Sequence, residues 1–464
     1  MNKKKGIRPF FGVIAVVLLL IPITIAMPVQ AETYNDSVGT GKVNEIPQSH
    51  VISDVPIVGQ DSRFYCNIAS LTILLNYYGF NVTKNEVFFL MGGGFSLFRA
   101  EHRYLKTFAS NECAYPPSNH EFLASLLNLS FQQFHTDLTV DEDRVWDQIW
   151  NCILQNISSN QPVLISLDAA ILSAHQLGLK LPISLWKNIA LSINHEVVVV
   201  GYNQSNQTIC YHDPQYSIFG DEHKGAYLWT TVDVFKTAFQ RYYSITADLS
   251  HYRIKSFEKP VTISYDMEGI IGQAYQRNMR RLQGDATAYD LFFDSPICEN
   301  ITKYYFGLNV SYRLKNIYGR NLQTQLYSLS VYKRMVRFGI ANTFFFALDN
   351  FLQRFLERDF SYVFDSLPLP GYKNDYKFIA EEKQIISQLM MDYAYVSPVY
   401  ENCSKLLQHE SQLWFRMADY HRILLNKGIF TTIPRAVYIF NKISSILEEI
   451  IQIQQEILSL SNSG

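Results

Sequence analysis

The stretch from Gln60 to Gly79, QDSRFYCNIASLTILLNYYG, constrains the fold more than any other part of the chain. After Cys66, apolar residues recur at three- and four-residue steps, which predicts a helix that ends at Gly79. A cysteine in the first turn of a helix lies near the positive end of the helix dipole, which favours the thiolate. Cys66 is therefore a candidate nucleophile; the alternative is a buried structural cysteine. The apolar positions are Ala69, Ile73, Leu74 and Tyr77.

Gln60 precedes the cysteine by six residues. Its side-chain amide can donate a hydrogen bond to an oxyanion that develops when the thiolate attacks a carbonyl. Gln60 is therefore a candidate oxyanion donor.

A second stretch, Ile193 to Gln215, has the pattern of a β-hairpin. The β-branched run Val197–Val200 predicts a buried strand, and Thr208–Tyr211 predicts the returning strand. The residues between them, Asn203–Gln207, are polar and typical of a turn.

This hairpin brings a histidine and a carboxylate together. If it turns near Ser205, His195 and Asp213 lie on the same face at its open end, and His212 points the other way. The carboxylate can then orient the imidazole and fix its tautomer. Cys66, His195 and Asp213 thus form a predicted nucleophile, general base and orienting group.

The two stretches resemble known papain-like families. The spacing of Gln60 to Cys66, with the later His195 and Asp213–Pro214, resembles the peptidases that process double-glycine bacteriocin leaders. YCNIASLTILLNYYG, NEVFFLMGGGFSLF, QPVLISLDAAIL and NHEVVVVGYN with YHDP resemble more closely the N-terminal domain family of butirosin-biosynthesis protein H. This similarity spans about residues 55–247. It implies a papain-like fold with Cys66 as nucleophile, His195 as base and Asp213 as third member.

The resemblance also implies a chemistry. For the butirosin family it is acyl transfer from a carrier-protein thioester to an amine. The leader peptidases usually have an acidic residue before the cysteine and a glycine after it, where this chain has Tyr65 and Asn67. This difference argues against cleavage of the leader type.

Composition excludes several other classes. The 464 residues are 48% hydrophobic and 18% charged, which suits a folded protein with a sizeable core. The net charge of −2 and the lack of basic clusters argue against a nucleic-acid partner. Gly92–Gly94 is not followed by the Lys–Ser/Thr of a phosphate loop, so it predicts a close backbone approach or a sharp turn. No CxxC motif supports a zinc site, and we expect no cofactor or metal.

The chain begins like an exported protein. Residues 1–31 combine a positive start, an apolar run and a small-residue cleavage site after Ala31, which predicts a signal peptide. The alternative is an uncleaved anchor. Nine N-x-S/T sequons are compatible with a secreted or cell-surface glycoprotein. With Cys66 free, the five other cysteines allow at most two disulfides.

The pattern divides the chain into domains. Residues 32–54 are predicted to be a flexible lead-in, 55–250 an α+β papain-like domain, and 260–464 an all-α domain. The final helix, 435–460, carries an apolar stripe that suits either self-association or packing within the same chain. The stripe consists of Ile439, Ile443, Ile446, Ile450, Ile453, Ile457 and Leu460.

Two functions from different classes follow. The first is a secreted cysteine-nucleophile acyl-transfer enzyme, a peptidase, amidohydrolase or acyltransferase, that acts on a peptide, amide or thioester. The second is an inactive papain-like scaffold that serves as an extracellular binding protein. A weaker third prediction places adhesion in the helical half.

Overall fold

The computed structural model describes residues 46–60, 65–95, 98–101, 106–109, 117–136, 142–176, 194–219, 222–245, 252–258, 262–284, 304–318, 375–427 and 433–461. The predicted signal peptide lies outside these ranges. None of the helices within them combines the length and apolar composition that a membrane crossing requires.

The first part of the chain alternates strands and helices. The strands are β1 (Ser49–Val51), β2 (Phe98–Glu101), β3 (Lys106–Ala109), β4 (Ser130–Thr136), β5 (Val163–Asp168), β6 (Asn194–Asn203), β7 (Thr208–His212), β8 (Leu228–Thr231) and β9 (Tyr252–Glu258). The helices are α1 (Cys66–Tyr78), α2 (Lys84–Leu90), α3 (Pro117–Leu126), α4 (Glu142–Ser158), α5 (Ala169–Gln176) and α6 (Val232–Ile245). Two short 3₁₀ helices, Pro214–Phe219 and Glu222–Gly225, separate β7 from β8.

An antiparallel sheet forms the centre of this part, in the order β4-β9-β5-β6-β7-β8. The run Val197–Val200 is fully buried, as its β-branched composition predicts. Two ion pairs are buried with the sheet. Lys255 lies 2.7 Å from Glu196, and Arg241 of α6 lies 2.9 Å from Asp168.

Helix α1 begins at Cys66 and ends as predicted. Gly79 follows it with φ 97°, a left-handed conformation that glycine adopts without steric cost. The helix is buried on almost every side, beyond the apolar positions that predicted it, and Tyr77 is only partly covered. Tyr78 fixes the end of the helix to the sheet, because its hydroxyl donates to the carbonyl of Phe257 over 2.5 Å.

Strand β1 lies within the segment predicted to be a flexible lead-in. Ser49–Val51 pairs with β6, and Ile52 beside it is 1% exposed. Residues 49–52 therefore belong to the sheet and its core. The remaining domain boundaries stay predictions.

The second part of the chain is mainly helical. It consists of α7 (Met267–Gln283), the short strand β10 (Tyr304–Phe306), α8 (Gly307–Tyr318), α9 (Asp375–Asp392), α10 (Pro398–Lys427) and α11 (Ile433–Ser461). Strand β10 joins β2 and β3 in a second sheet, in the order β10-β2-β3. The predicted α+β part followed by a helical part is confirmed.

Helix α7 joins the two parts through buried arginines. Arg277 and Arg281 both donate to the side-chain oxygen of Asn119 at the start of α3. Arg281 also donates to the carbonyl of Met91 over 3.2 Å, and Asn278 donates to that of Phe89 over 3.0 Å. These bonds hold the end of α2 against the helical part.

The triple glycine, Gly92–Gly94, lets the backbone approach helix α9 closely at this junction, as the sequence indicated. Gly94 has φ 77°, and a Cβ there would come 2.5 Å from Cγ1 of Ile386 in α9. The next residue, Phe95, is buried, with the Lys383 ammonium 5.4 Å from its ring centre. Only glycine permits this contact between a turn of the first part and a helix of the second.

The apolar stripe of α11 packs within the chain's own bundle. Its residues from Ile439 to Ile457 are at most 5% exposed. Gln454, on the same helix, donates to Glu410 over 2.8 Å and accepts from Ser311 over 2.9 Å. Glu410 also pairs with Lys383 at 3.0 Å. Self-association through this helix stays a prediction. The surface available for it consists of the exposed residues on the outer side of the helix.

We predict that Arg281→Ala lowers the free energy of unfolding by about 3 kcal/mol, because it leaves buried polar groups of Asn119 and Met91 with fewer donors. Urea unfolding of the full chain measures this change. Arg280→Ala is the matched control, since Arg280 is the exposed neighbour on the same helix. Equal unfolding midpoints for the two variants would contradict the prediction.

Candidate active site

Cys66 occupies the first position of α1 and is partly exposed, whereas its neighbours Tyr65 and Asn67 are buried. The Tyr65 ring packs against Phe88 of α2 at 5.2 Å between ring centres. The Tyr65 carbonyl accepts the first helical bond, from the amide of Ala69 at 2.9 Å. The thiol is therefore held at an accessible point between two buried side chains.

The hairpin β6–β7 brings His195 to Asp213, and its turn lies where the sequence predicts it. The loop contains four residues, 204–207, and pairs Asn203 with Thr208. Uninterrupted pairing from there would set Asp213 opposite Val198, on the face that Glu196 shares. A β-bulge between Val199 and Gly201 shifts the register by one residue, so that Val198 pairs with His212. Asp213, the next residue, then lies on the same face of the sheet as His195.

The bulge depends on contacts with β1. The carbonyl of Val200, the extra residue, accepts a hydrogen bond from the amide of Ile52 over 2.8 Å. At Gly201 a Cβ would lie 2.9 Å from Val51 and 3.1 Å from Cys210, so a side chain has little room. Strand β1 thereby stabilises the register that pairs the histidine with the aspartate.

His195 and Asp213 form a buried hydrogen bond of 2.7 Å between Nε2 and Oδ1. Each residue is 3% exposed. The Cys66 thiol is a second hydrogen-bond partner of His195. Because Asp213 occupies Nε2, Nδ1 is the nitrogen that remains for the thiol.

Asp213 is itself held from two sides. Its Oδ1 accepts the amide of Gln215 over 2.9 Å, and its own amide donates to the carbonyl of Gly225 over 2.8 Å. A Cβ at Gly225 would come 2.1 Å from the Asp213 carbonyl oxygen. This glycine had no recognisable signal in the sequence, because its role arises only when the segment after β7 folds back.

The surroundings of His195 favour the imidazolium. Burial lowers the pKa of His195, but the charge and hydrogen bond of Asp213, with contributions from Cys66, raise it to about 10. The ring therefore carries a proton at neutral pH, and can give it to a leaving group.

Gln60 lies at the same end of the sheet. It is 4% exposed, and its backbone amide donates to the carbonyl of Pro214, next to Asp213, over 2.9 Å. This backbone hydrogen bond places Gln60 beside the residue that follows Asp213. The direct contact between thiol and imidazole joins Cys66 to the same group.

Other polar residues near the site have structural contacts. Asp168 caps α5 by accepting the amide of Ala170 over 2.9 Å, and it also binds Arg241. His212 is buried with its ring against Tyr227, and its Nδ1 lies 3.3 Å from the Pro56 carbonyl oxygen. Burial lowers the pKa of His212 to about 4, although the Pro56 carbonyl opposes this shift.

A tyrosine network beside Asp213 was not anticipated from the sequence. Gln176 of α5 donates to the hydroxyl of Tyr211 and accepts from that of Tyr216, each over 2.5 Å. It links α5 to the segment that follows β7. No local pattern marks these residues, since they are far apart along the chain.

Three further cysteines, Cys152, Cys210 and Cys403, lie among the described residues. Burial raises the pKa of Cys152 to about 11, and those of Cys210 and Cys403 to about 12. None of these three thiols forms a disulfide. Cys113 and Cys298 lie outside the described residues.

The comparison with protein families agrees with this geometry. Residues 52–251 match the model of the Peptidase_C39 like family. The match covers less than half of the chain and includes Gln60, Cys66, His195 and Asp213. It supports a papain-like, cysteine peptidase-related fold for this part of the protein. No curated protein matches the chain.

We predict that Gly225→Ala costs about 2 kcal/mol of stability, because the new methyl must displace the Asp213 backbone. Thermal unfolding measures the loss. Gly272→Ala is the control, since its nearest atom, the hydroxyl oxygen of Tyr400, lies 3.6 Å away. If Gly225→Ala unfolds no earlier than Gly272→Ala, the close approach at Asp213 is not a constraint.

We also predict that His212 makes the fold sensitive to acid. Its pKa is about 4 in the folded protein, against an ordinary value of 6.5, so the unfolded chain takes up the proton first. The contribution of His212 to the free energy of unfolding is therefore fully present above pH 6.5. It is lost as the pH drops towards 4, which lowers the free energy of unfolding by about 3 kcal/mol in total.

His212→Gln removes this titration. Urea unfolding at pH 7.5 and pH 4.5 should show a smaller loss of stability on acidification in the variant than in the wild type. Equal losses would assign the acid sensitivity to other groups.

Proposed function

We propose that the protein is a cysteine-nucleophile acyl-transfer enzyme with Cys66, His195 and Asp213 as its catalytic triad and Gln60 as an oxyanion donor. The observation that carries the proposal is the chain of contacts from Asp213 through His195 to a partly exposed thiol at a helix start. The family match over the same residues agrees with it.

The proposed reaction begins with transfer of the Cys66 thiol proton to His195 and attack of the resulting thiolate on the carbonyl carbon of a peptide, amide or thioester. Asp213 keeps His195 oriented and protonated. The imidazolium then gives its proton to the departing amine or thiol as the tetrahedral intermediate collapses to an acyl-enzyme. The neutral imidazole afterwards takes a proton from the acceptor that attacks the acyl group, and the bond between the acyl carbon and Cys66 Sγ then breaks to release the product.

The oxyanion of the tetrahedral intermediate needs donors near Cys66. The Cys66 backbone amide is one, since the first amides of a helix have no partner within the helix. The Gln60 side chain is the other, and the bond from its backbone to Pro214 ties it to the segment that carries Asp213.

The acceptor defines the enzyme class. Water gives a peptidase or amidohydrolase, and an amine gives an acyltransferase of the kind that the resemblance to butirosin-biosynthesis protein H implies. The predicted signal peptide favours a substrate outside the cell. We propose a secreted or cell-surface location on this basis, which mass analysis of the mature N-terminus tests.

The second candidate function is that of an inactive scaffold that binds a partner. Tyr65 and Asn67 favour it, because both replace residues typical of leader peptidases and both are buried beside the thiol. The retained hydrogen bond between His195 and Asp213 favours catalysis, since a binding scaffold has no physical need for a buried charged pair next to a thiol.

We predict that iodoacetamide alkylates Cys66 rapidly at pH 7 and that His195→Ala slows this reaction about tenfold or more, because the thiolate loses its imidazolium partner. Site-resolved mass spectrometry measures Cys66 apart from the other thiols. His175→Ala is the control, since His175 is an exposed histidine of the same domain.

Slow labelling with an ordinary thiol pH profile in both the wild type and His195→Ala would favour the scaffold. Where labelling is fast, hydrolysis or aminolysis of peptide and acyl-thioester substrates, each compared with Cys66→Ser, separates the acceptor classes.

A further inference from the structure

Ser70 connects the helix of the candidate nucleophile to the strand of the candidate base. Its side chain is fully buried, and its hydroxyl donates to the carbonyl of Glu196 over 3.1 Å. Ser70 lies one helical turn after Cys66, and Glu196 is the residue after His195. We propose that Ser70 is a positioning residue that fixes the separation of Cys66 and His195.

The carbonyl of Glu196 lies where the sheet is interrupted. The pairing of β6 with β7 ends at Val198 and His212. Continued register would set Pro214 opposite Glu196, and proline has no N–H to donate. The serine hydroxyl supplies a donor at this point, so the bond replaces a missing ladder contact with one that reaches α1.

This bond acts together with the contact between thiol and imidazole. Residues four apart on a helix lie on the same side, so Cys66 and Ser70 both face the end of β6. The two contacts, Cys66 with His195 and Ser70 with Glu196, hold α1 to β6 at successive points. A single contact would let the helix pivot and would change the distance from Sγ to the imidazole.

The hydrogen bond from Ser70 to Glu196 is not needed to bury α1. Most apolar side chains of α1 belong to the hydrophobic core, which already holds the helix in place. Thr72, the other buried serine or threonine of the helix, bonds within the helix to the Ile68 carbonyl over 2.7 Å. Ser70 alone of these two hydroxyls links α1 to β6.

The inference rests on the proposed function and is tested by the pH profile of Cys66 alkylation. Ser70→Ala should slow labelling at pH 7 about tenfold and move the profile towards that of His195→Ala, because misplaced partners no longer stabilise the thiolate. Alanine is smaller and favours helix, so the variant should fold. Ser70→Thr keeps the hydroxyl and should recover most of the rate.

Thr72→Val is the matched control, because it removes a buried hydroxyl from the same helix without touching β6. It should keep the wild-type profile even if its melting temperature falls. Circular dichroism measures the folded fraction to which each rate is normalised.

The outcomes separate the two proposals. A folded Ser70→Ala with the wild-type profile, or an equal change in Thr72→Val, would overturn the positioning role and leave the triad intact. A wild type whose labelling does not depend on His195 would overturn the proposed function and this inference with it.

Discussion

The buried hydrogen bond between His195 and Asp213 sets the requirements for the rest of the site. Both side chains are almost fully removed from water, so a charge on either needs its partner. The backbone must therefore bring two strands into one particular register and hold it. The bulge at Val200, the glycine at position 225 and the amide of Gln215 all meet that requirement.

The helical part of the chain supports this arrangement from a distance. Arg277 and Arg281 of α7 converge on Asn119, and Arg281 also binds the turn that follows α2. Helix α2 in turn packs on Tyr65, the residue before the thiol. A continuous set of buried contacts thus connects α7 to the start of α1, although these elements are about two hundred residues apart.

Tyr65 and Asn67 differ from the residues that leader peptidases usually have at these positions, whereas Cys66, His195 and Asp213 are all present in this chain. Both residues are buried and leave the thiol partly exposed between them. Their difference from the peptidase pattern therefore concerns packing around Cys66. The contacts of His195 with the thiol and with Asp213 are present beside them.

Besides naming Cys66, His195, Asp213 and Gln60 as candidate site residues, the sequence by itself determined the local elements: the helix from Cys66 to its end at Gly79 and the hairpin strands. These follow from periodicity and turn chemistry, which act over a few residues. Only the tertiary structure decided which face His195 occupies, because a one-residue bulge reverses that face and depends on β1, about 150 residues away. Ser70, Gly225 and Gln176 likewise gain their roles from chain segments that no short pattern connects.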